Sequence, residues 1–183
     1  MAAGHSVRDD LKKVARARPA NGSTDAVAGV RARYVVTPAS TEEVAEVLRV
    51  AGQHDLTVVA RGSGSKLGWG APPTRADLLL DTGALSGVVD HAAGDLVVVV
   101  AAGTPVSELQ AHVGQAGQQL ALDTPFADAT VGGVLAVGTS GPRRLLYGTA
   151  RDLLIGVTFV RGDGVVAKAG GRVVKNVAGY DFG

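Results

Sequence analysis

No cysteine occurs anywhere in the 183-residue sequence, which excludes disulfides, a thiolate nucleophile, and a zinc or iron–sulfur centre held by thiolates. A metal centre that accepts electrons from this chain must therefore sit on another one. An excess of charge of one sign is missing as well. The 18 Lys and Arg stand against 17 Asp and Glu, and a net charge of +1 makes no field that favours nucleic acid or an anionic membrane surface. Long hydrophobic runs are also absent. The longest, Leu96 to Ala102, falls far short of the roughly 20 residues that span a bilayer and reads as a buried strand. Residues Met1 to Arg18 mix charges and lack the apolar stretch of a secretory signal, so the expected compartment is the cytoplasm. His5, His54, His91 and His112 sit in separate contexts without metal-ligand spacing, and no metal site is expected.

What the sequence does have is apolar residues, 46% against 19% charged, enough for a core in a soluble globular chain. Aromatics are only 4%, whereas 26 glycines cluster between short Val-rich runs, a distribution that points to backbone-lined binding loops between strands. Val7 to Arg18 reads as a weak helix in a peripheral lead-in, residues 1–29. Tyr34 to Thr37 is β-rich and stops at Pro38. Ser40 and Glu43 then have the reciprocal spacing that caps a helix start, with Val44, Val47, Leu48 and Ala51 on one face and Gly52 at the end. Thr57 to Ala60 resumes as a strand leading into ARGSGSKLGWG, residues 60–70, and Leu78 to Leu80 reads as a buried strand. Thr104 is placed to cap a second helix with Pro105 in its first turn, Val106, Leu109 and Val113 on its apolar face, and Gly117 at its end. A short strand near Leu120 to Leu122 precedes TVGGVLAVGTSG, residues 130–141. Gly156 to Val160 and Val165 to Ala169 flank Arg161-Gly162-Asp163-Gly164, a hairpin signal. Early strands separated by a helix and later strands joined by a hairpin give an α+β chain with two small α/β lobes, about 30–90 and 95–183. Residues 171–183, GRVVKNVAGYDFG, are still strongly patterned at the last residue, as expected of a fragment.

Glycines after a strand leave main-chain N–H groups bare, and in a tight turn these converge on an anion such as a pyrophosphate. In the first loop Gly62, Gly64, Gly68 and Gly70 permit close approach, Ser63 and Ser65 add hydroxyls, and Lys66 adds a cation. Spacing excludes two familiar phosphate motifs. Leu67 stands where the dinucleotide fingerprint needs its third glycine, and Ala71-Pro72-Pro73 follows instead of a helix. Ser65-Lys66-Leu67 stands where a P-loop needs Gly-Lys followed by Ser or Thr. In the second segment Thr130 can cap a helix beginning Val131-Gly132-Gly133, whose first amides and dipole can hold phosphate; close helix packing is the equal alternative. Trp69 and Tyr147 either flank a ligand or pack in the ordinary way.

Four ordered segments carry a family resemblance: Pro38-Ala39-Ser40-Thr41-Glu42-Glu43-Val44, the ARGSGSKLGWG loop, ATVGGVLAVGTSGPRRLLYGTARD over residues 129–152, and GGRVVKNVAGYDFG over residues 170–183. Together they resemble the FAD-binding domain of the vanillyl-alcohol-oxidase and p-cresol-methylhydroxylase (PCMH-type) superfamily, most closely the FAD-binding subunits of glycolate oxidases. The resemblance runs from about Val30 to the end. It implies a PCMH-type fold, two small α/β lobes around FAD, with the substrate cap downstream of this segment. It implies that Arg61, Gly62, Ser63, Gly64, Ser65, Lys66 and Gly68 form the loop that wraps the FAD pyrophosphate. Thr130, Gly132, Gly133, Ser140 and Gly141 would run past the phosphates and the isoalloxazine. Pro125, Gly148 and Asp152 join the same cofactor-binding set, with the backbone near Val157 at the adenine. Members with covalent flavin have a histidine where this chain has Ser65, which implies non-covalent FAD. Arg143 and Arg144 follow the second glycine segment, so they either bring positive charge to the flavin pyrimidine, where it stabilises the anionic reduced ring, or are solvated loop arginines. Lys175 and Asn176 either meet flavin or a partner subunit or sit on the surface at a strand end, two equal alternatives.

The activity so implied is oxidation of a 2-hydroxy acid such as glycolate or D-lactate by hydride transfer to flavin N5, with no catalytic base identifiable in this segment. Partner subunits, including an iron–sulfur electron acceptor, are implied and would also bring the chain to the membrane periphery. Two alternatives stand beside this reading. One is another reductase of the same FAD superfamily, which shares the loop but not the VVKNVAGYD segment. The other is a non-catalytic flavin-binding or assembly subunit of a multi-subunit oxidase.

Overall fold

The structure, a computed structural model, describes residues 6–171, and these divide into two compact units: 6–85 with 160–166, and 86–159 with 167–171. In the first unit, helix α1 (Val7–Val14) stops short of the Arg18 that the sequence pattern suggests, because Ala15 is already extended. Strand β1 (Arg16–Pro19) follows, and its Arg-Ala-Arg alternation has the two-residue period of a strand, with Ala17 turned to the core. The segment read as a peripheral lead-in is therefore structural: Leu11 is fully buried, and β1 occupies a sheet edge. Strands β2 (Ala26–Val27) and β3 (Val30–Arg31) form a short hairpin. Then come β4 (Tyr34–Thr37), helix α2 (Thr41–Gln53), β5 (Val58–Arg61) and β6 (Leu78–Asp81).

The sheet has the order β1-β4-β6-β5, with β1 antiparallel to β4 and the other two pairings parallel. An inner parallel strand is covered on both faces, which is why β6 reads Leu-Leu-Leu without alternation. Leu78 and Leu80 pack with Val36, Val47 and Leu11 on one face, while Leu79 packs with Val35 and Val27 on the other. Each fully buried leucine contributes about 2 kcal/mol of transfer free energy. The α2 start is capped as the spacing implies, with Glu43 N–H donating to Ser40 Oγ at 3.1 Å. Glu43 reaches back one residue further than the usual box, accepting from Ala39 N–H at 2.8 Å.

The second unit opens with β7 (Val88–Ala92) and β8 (Val97–Val100), an antiparallel pair joined by a 3-10 turn. Leu96 lies outside the strand at φ +58 and is 79% exposed, so the run from Leu96 to Ala102 is not the buried strand its composition suggests. Helix α3 (Val106–Gly114) starts without a side-chain cap. Thr104, expected as that cap, is instead fully buried: its hydroxyl donates to Ala101 O at 2.7 Å and accepts from Gly87 N–H at 2.9 Å. The helix ends before Gly117, which takes φ +71 in the following turn. Leu120 to Leu122 form no strand, and Leu120 N–H is satisfied by Gln110 Oε1 at 3.1 Å. Helix α4 (Val131–Val137), the short helices α5 (Arg144–Tyr147) and α6 (Ala150–Leu153), and the paired strands β9 (Gly156–Val160) and β10 (Val166–Gly170) complete the described chain. Val106, Leu109 and Val113 of α3 meet Val131 and Val134 of α4 to make this unit's core.

Candidate functional site

In the first unit β5 delivers the chain at Arg61 directly into the glycine loop. Leu67 N–H donates to Gly64 O and Trp69 N–H to Lys66 O, both at 3.1 Å, so the loop is two tight turns in succession. Gly64 stands at φ +86, a region that disfavours any L side chain even though the nearest atoms to an added Cβ would be 3.6 Å away. Leu67 packs against the Val27, Val35 and Leu79 cluster and pins the far end of the loop to the core. Among the described residues, the amides of Gly62, Ser63, Gly64 and Ser65 meet no acceptor. The hydroxyls gather beside them: Ser63 Oγ lies 3.3 Å from Ser65 Oγ, and Lys66 Nζ donates to Ser65 Oγ at 3.2 Å. Four successive amides that meet no acceptor among the described residues, with hydroxyls alongside, supply the donors a diphosphate needs. Gly68 and Trp69 lie beyond it on the exposed side.

Arg61 behaves differently from its neighbours. Its guanidinium is only 13% exposed and bridges two carboxylates, Nη1 to Asp25 Oδ1 at 3.0 Å and Nη2 to Asp81 Oδ2 at 2.7 Å. Burial works against the charge on Arg61, but the bonds to Asp81 and Asp25 outweigh it and raise its pKa. Asp25 is itself buried and accepts from Arg18 Nη1 at 2.6 Å and Asn21 N–H at 2.7 Å. The Arg18 hydrogen bond, opposed by burial and helped by Asn21 and Arg61, holds the Asp25 carboxyl well below the usual carboxylate range.

In the second unit the start of α4 has no spare donors. Val131 N–H goes to Thr104 O at 2.9 Å, Gly132 N–H to Ala102 O at 2.7 Å, and Gly133 N–H to the Thr130 hydroxyl at 3.2 Å. A Cβ on Gly132 would lie 2.9 Å from both Cβ and O of Ala102, so this glycine serves close packing. The turn after α4 is built around Asp123, whose main-chain O accepts from Gly141 N–H at 2.8 Å and whose Oδ2 accepts from Arg143 N–H at 3.0 Å. Any side chain at Gly141 would collide with that carboxylate. Ser140 Oγ accepts from Ala150 N–H at 3.1 Å, and Arg144 Nη1 donates to Ser140 O at 3.1 Å. Thr139 Oγ1, beside them, is buried with no hydrogen-bond partner, a cost of about 1–3 kcal/mol unless a ligand or water supplies one.

Gly148 takes φ +84, where an added Cβ would lie 2.9 Å from Asp152 Cβ, and Asp152 Oδ2 accepts from both N–H and Oγ1 of Thr149 at 2.7 Å. Those Thr149 bonds lower the Asp152 pKa. Asp152 thus orders the start of α6. Arg143 lies over the Tyr147 ring at 5.3 Å. The second-unit residues of the cofactor set therefore form local groups: Thr130 with Gly133, Ser140 and Gly141 around the Asp123 turn, and Gly148 with Asp152. Pro125 lies two residues beyond Asp123, and Val157 sits on β9. Lys175 and Asn176 lie outside the described residues. Sequence reading missed Asp25, Asp81, Asp123 and Thr139, because single acids and a threonine in loops have no local signature of long-range pairing. Among the described residues, no group of three His, Asp or Glu side chains is placed to hold a metal ion, and no helix is long and apolar enough to cross a membrane.

A PCMH-type FAD-binding fold of mixed helix and strand is what these elements amount to. Residues 32–170 match the FAD binding domain family, and the chain belongs to that family. The glycolate oxidase subunit GlcE of Escherichia coli (strain K12) is 39% identical over 127 residues, covering 68% of this chain and 36% of that protein. A D-lactate dehydrogenase of Archaeoglobus fulgidus is 32% identical over 148 residues, 81% of this chain and 33% of that one. The chain spans about a third of the length of these curated relatives. Among solved structures, the BBE-like 1 protein of Physcomitrella patens aligns with a TM-score of 0.75 at 20% identity, over 91% of this chain and 38% of that one. A chitooligosaccharide oxidase aligns equally well, at 0.75 and 18% identity over 91% of this chain and 37% of its own; both likenesses concern the fold alone.

Proposed function

We propose that this chain holds FAD non-covalently, as the cofactor-binding portion of an oxidoreductase that oxidises a 2-hydroxy acid such as glycolate or D-lactate. The observation that carries the reading is the loop after β5, where the amides of Gly62 to Ser65 meet no acceptor among the described residues and Gly64 stands at φ +86. A diphosphate offers these donors what they lack, negative oxygens in a compact array. Ser63 and Ser65 add hydroxyl donors, and Lys66 adds positive charge close to the loop. Ser65 has no imidazole to form a ring linkage, which supports non-covalent attachment. In the second unit the proposed contacts are Thr139, Ser140 and Gly141. Thr130, Gly132, Gly133, Pro125, Gly148, Asp152 and Val157 shape the turns and strand that carry them. Bound flavin supplies a hydride acceptor, and the residues of this chain bind and orient it.

The substrate class rests on the relatives' names, a glycolate oxidase subunit and a D-lactate dehydrogenase. Partner subunits, an iron–sulfur electron acceptor among them, belong to the same reading, as does a cytoplasmic or membrane-peripheral place for the assembly; the naming of GlcE as a subunit supports it. A second reading, a flavin-holding subunit without turnover of its own, is favoured by the word subunit in the GlcE name. The test is anaerobic addition of glycolate and D-lactate to the purified full-length flavoprotein, followed by flavin absorbance. Bleaching by one of the two supports the leading reading. Yellow protein that neither acid bleaches supports the second, and flavin that stays in the pellet on acid precipitation contradicts non-covalent attachment.

A further inference from the structure

Arg61 is the last residue of β5 and precedes the four amides that meet no acceptor among the described residues. Three bonds fix it. Its guanidinium spans Asp25 and Asp81, and its carbonyl accepts from the Thr82 hydroxyl at 3.2 Å. The two carboxylates are themselves anchored, Asp25 by Arg18 and Asn21, and Asp81 by Gly83 N–H at 2.9 Å. The aliphatic stem of Arg61 supports the loop from beneath, since its Cδ lies 3.6 Å from where a Gly64 Cβ would be. Glycine and serine loops lose much conformational freedom on binding, and an anchor that holds them beforehand removes part of that cost. A planar fork spans the two carboxylates with its two Nη atoms in fixed geometry, which the single nitrogen of a lysine does not reproduce.

We propose that Arg61 is a positioning residue for the cofactor loop: by bridging Asp25 and Asp81 it fixes the backbone from which the amides of Gly62 to Ser65 are presented, and it does not itself touch the phosphates. The proposal rests on the flavin reading of the loop. It assigns Asp25 and Asp81, which contribute nothing to a ligand directly, a measurable share in its affinity.

The test is FAD titration by flavin fluorescence on the full chain and on Asp81→Asn, Arg61→Lys, Arg61→Gln and the Asp81→Asn/Arg61→Lys double variant, each at a temperature where its melting curve shows it folded. Asp81→Asn is the mild variant, because the asparagine carbonyl keeps the Gly83 bond and only the charged bridge is lost. The expected result is about tenfold weaker FAD binding for Asp81→Asn and for Arg61→Lys alike, with the double variant no weaker than Arg61→Lys, as a single lost charged hydrogen bond shared by the pair requires. Arg61→Lys is expected to rescue nothing relative to Arg61→Gln. If Arg61 contacts phosphate directly, Asp81→Asn removes one competing carboxylate, with Asp25 still holding Nη1, and leaves affinity equal or tighter, while Arg61→Lys outperforms Arg61→Gln; that pattern overturns the proposal. Lower melting temperatures with unchanged affinity also overturn it, leaving a purely structural role. Failure of the folded wild-type chain to bind FAD overturns the flavin reading itself, and the positioning role with it.

Discussion

Replacing Gly132 by alanine sets two known effects against each other at the start of α4. Alanine is favoured over glycine in a helix interior by up to about 1 kcal/mol, so a helix held only by propensity would gain stability. The added methyl would lie 2.9 Å from both Cβ and O of Ala102, and that carbonyl is tied to Gly132 N–H at 2.7 Å. Ala102 cannot withdraw without breaking the bond, and its backbone has no rotamer to change. Overpacking of this kind costs about 1–3 kcal/mol, so at mid-range the packing effect wins by about 1 kcal/mol. In a chain of this size that corresponds to a fall of about 2–4 °C in Tm, read by circular dichroism. Gly133→Ala is the control, because its Cβ would meet only the Thr130 hydroxyl, at 3.0 Å. Its cost is limited to a weakened cap, about 1 kcal/mol or less. A Gly132→Ala protein as stable as wild type, or more so, would refute the packing argument and return this glycine to the list of residues kept small for a ligand.

Gly64→Ala is expected to fold and to bind FAD several-fold more weakly, since a left-handed backbone costs an alanine about 1 kcal/mol; unchanged affinity by fluorescence titration counts against the loop geometry. Leu79→Ala removes a fully buried side chain from the inner strand and should cost about 2–5 kcal/mol in urea unfolding, whereas a loss below about 1 kcal/mol contradicts the two-faced burial of β6. Asp25 gives a pH prediction. Its folded pKa is depressed, first by Arg18, so its contribution to stability is complete above the unfolded value of about 3.9 and fades as pH falls from there toward the folded value. Wild type should therefore exceed Asp25→Asn in stability at neutral pH, with the gap closing below about pH 4, and a gap independent of pH would contradict the pairing.

What could be read from the residues and what could not divides along the range of the interactions. Strands β4, β5 and β6, the capped start of α2 and the Thr130 cap depend on neighbours a few residues apart, and periodicity with capping chemistry finds them. The strand at Arg16–Pro19 was hidden because its partner, Val35 and Val36 of β4, lies far along the chain, while its own composition suits a helix. Thr104 has the right type and place for a cap, yet a buried hydroxyl follows the strongest bonds available, here with Gly87 and Ala101. Leu96 was drawn into a strand by composition, although the turn before β8 requires a left-handed residue at that point. At the loop, the glycines and serines announced bare amides, but the pairing of Arg61 with Asp25 and Asp81 was not legible, because those partners are 36 and 20 residues distant.

The most direct measurement is an FAD titration followed by amide chemical shifts in uniformly labelled protein. The account expects the N–H resonances of Gly62, Ser63, Gly64 and Ser65 to move to lower field together and to saturate at one equivalent of FAD. Saturable binding in which those four resonances stay where they were would contradict it.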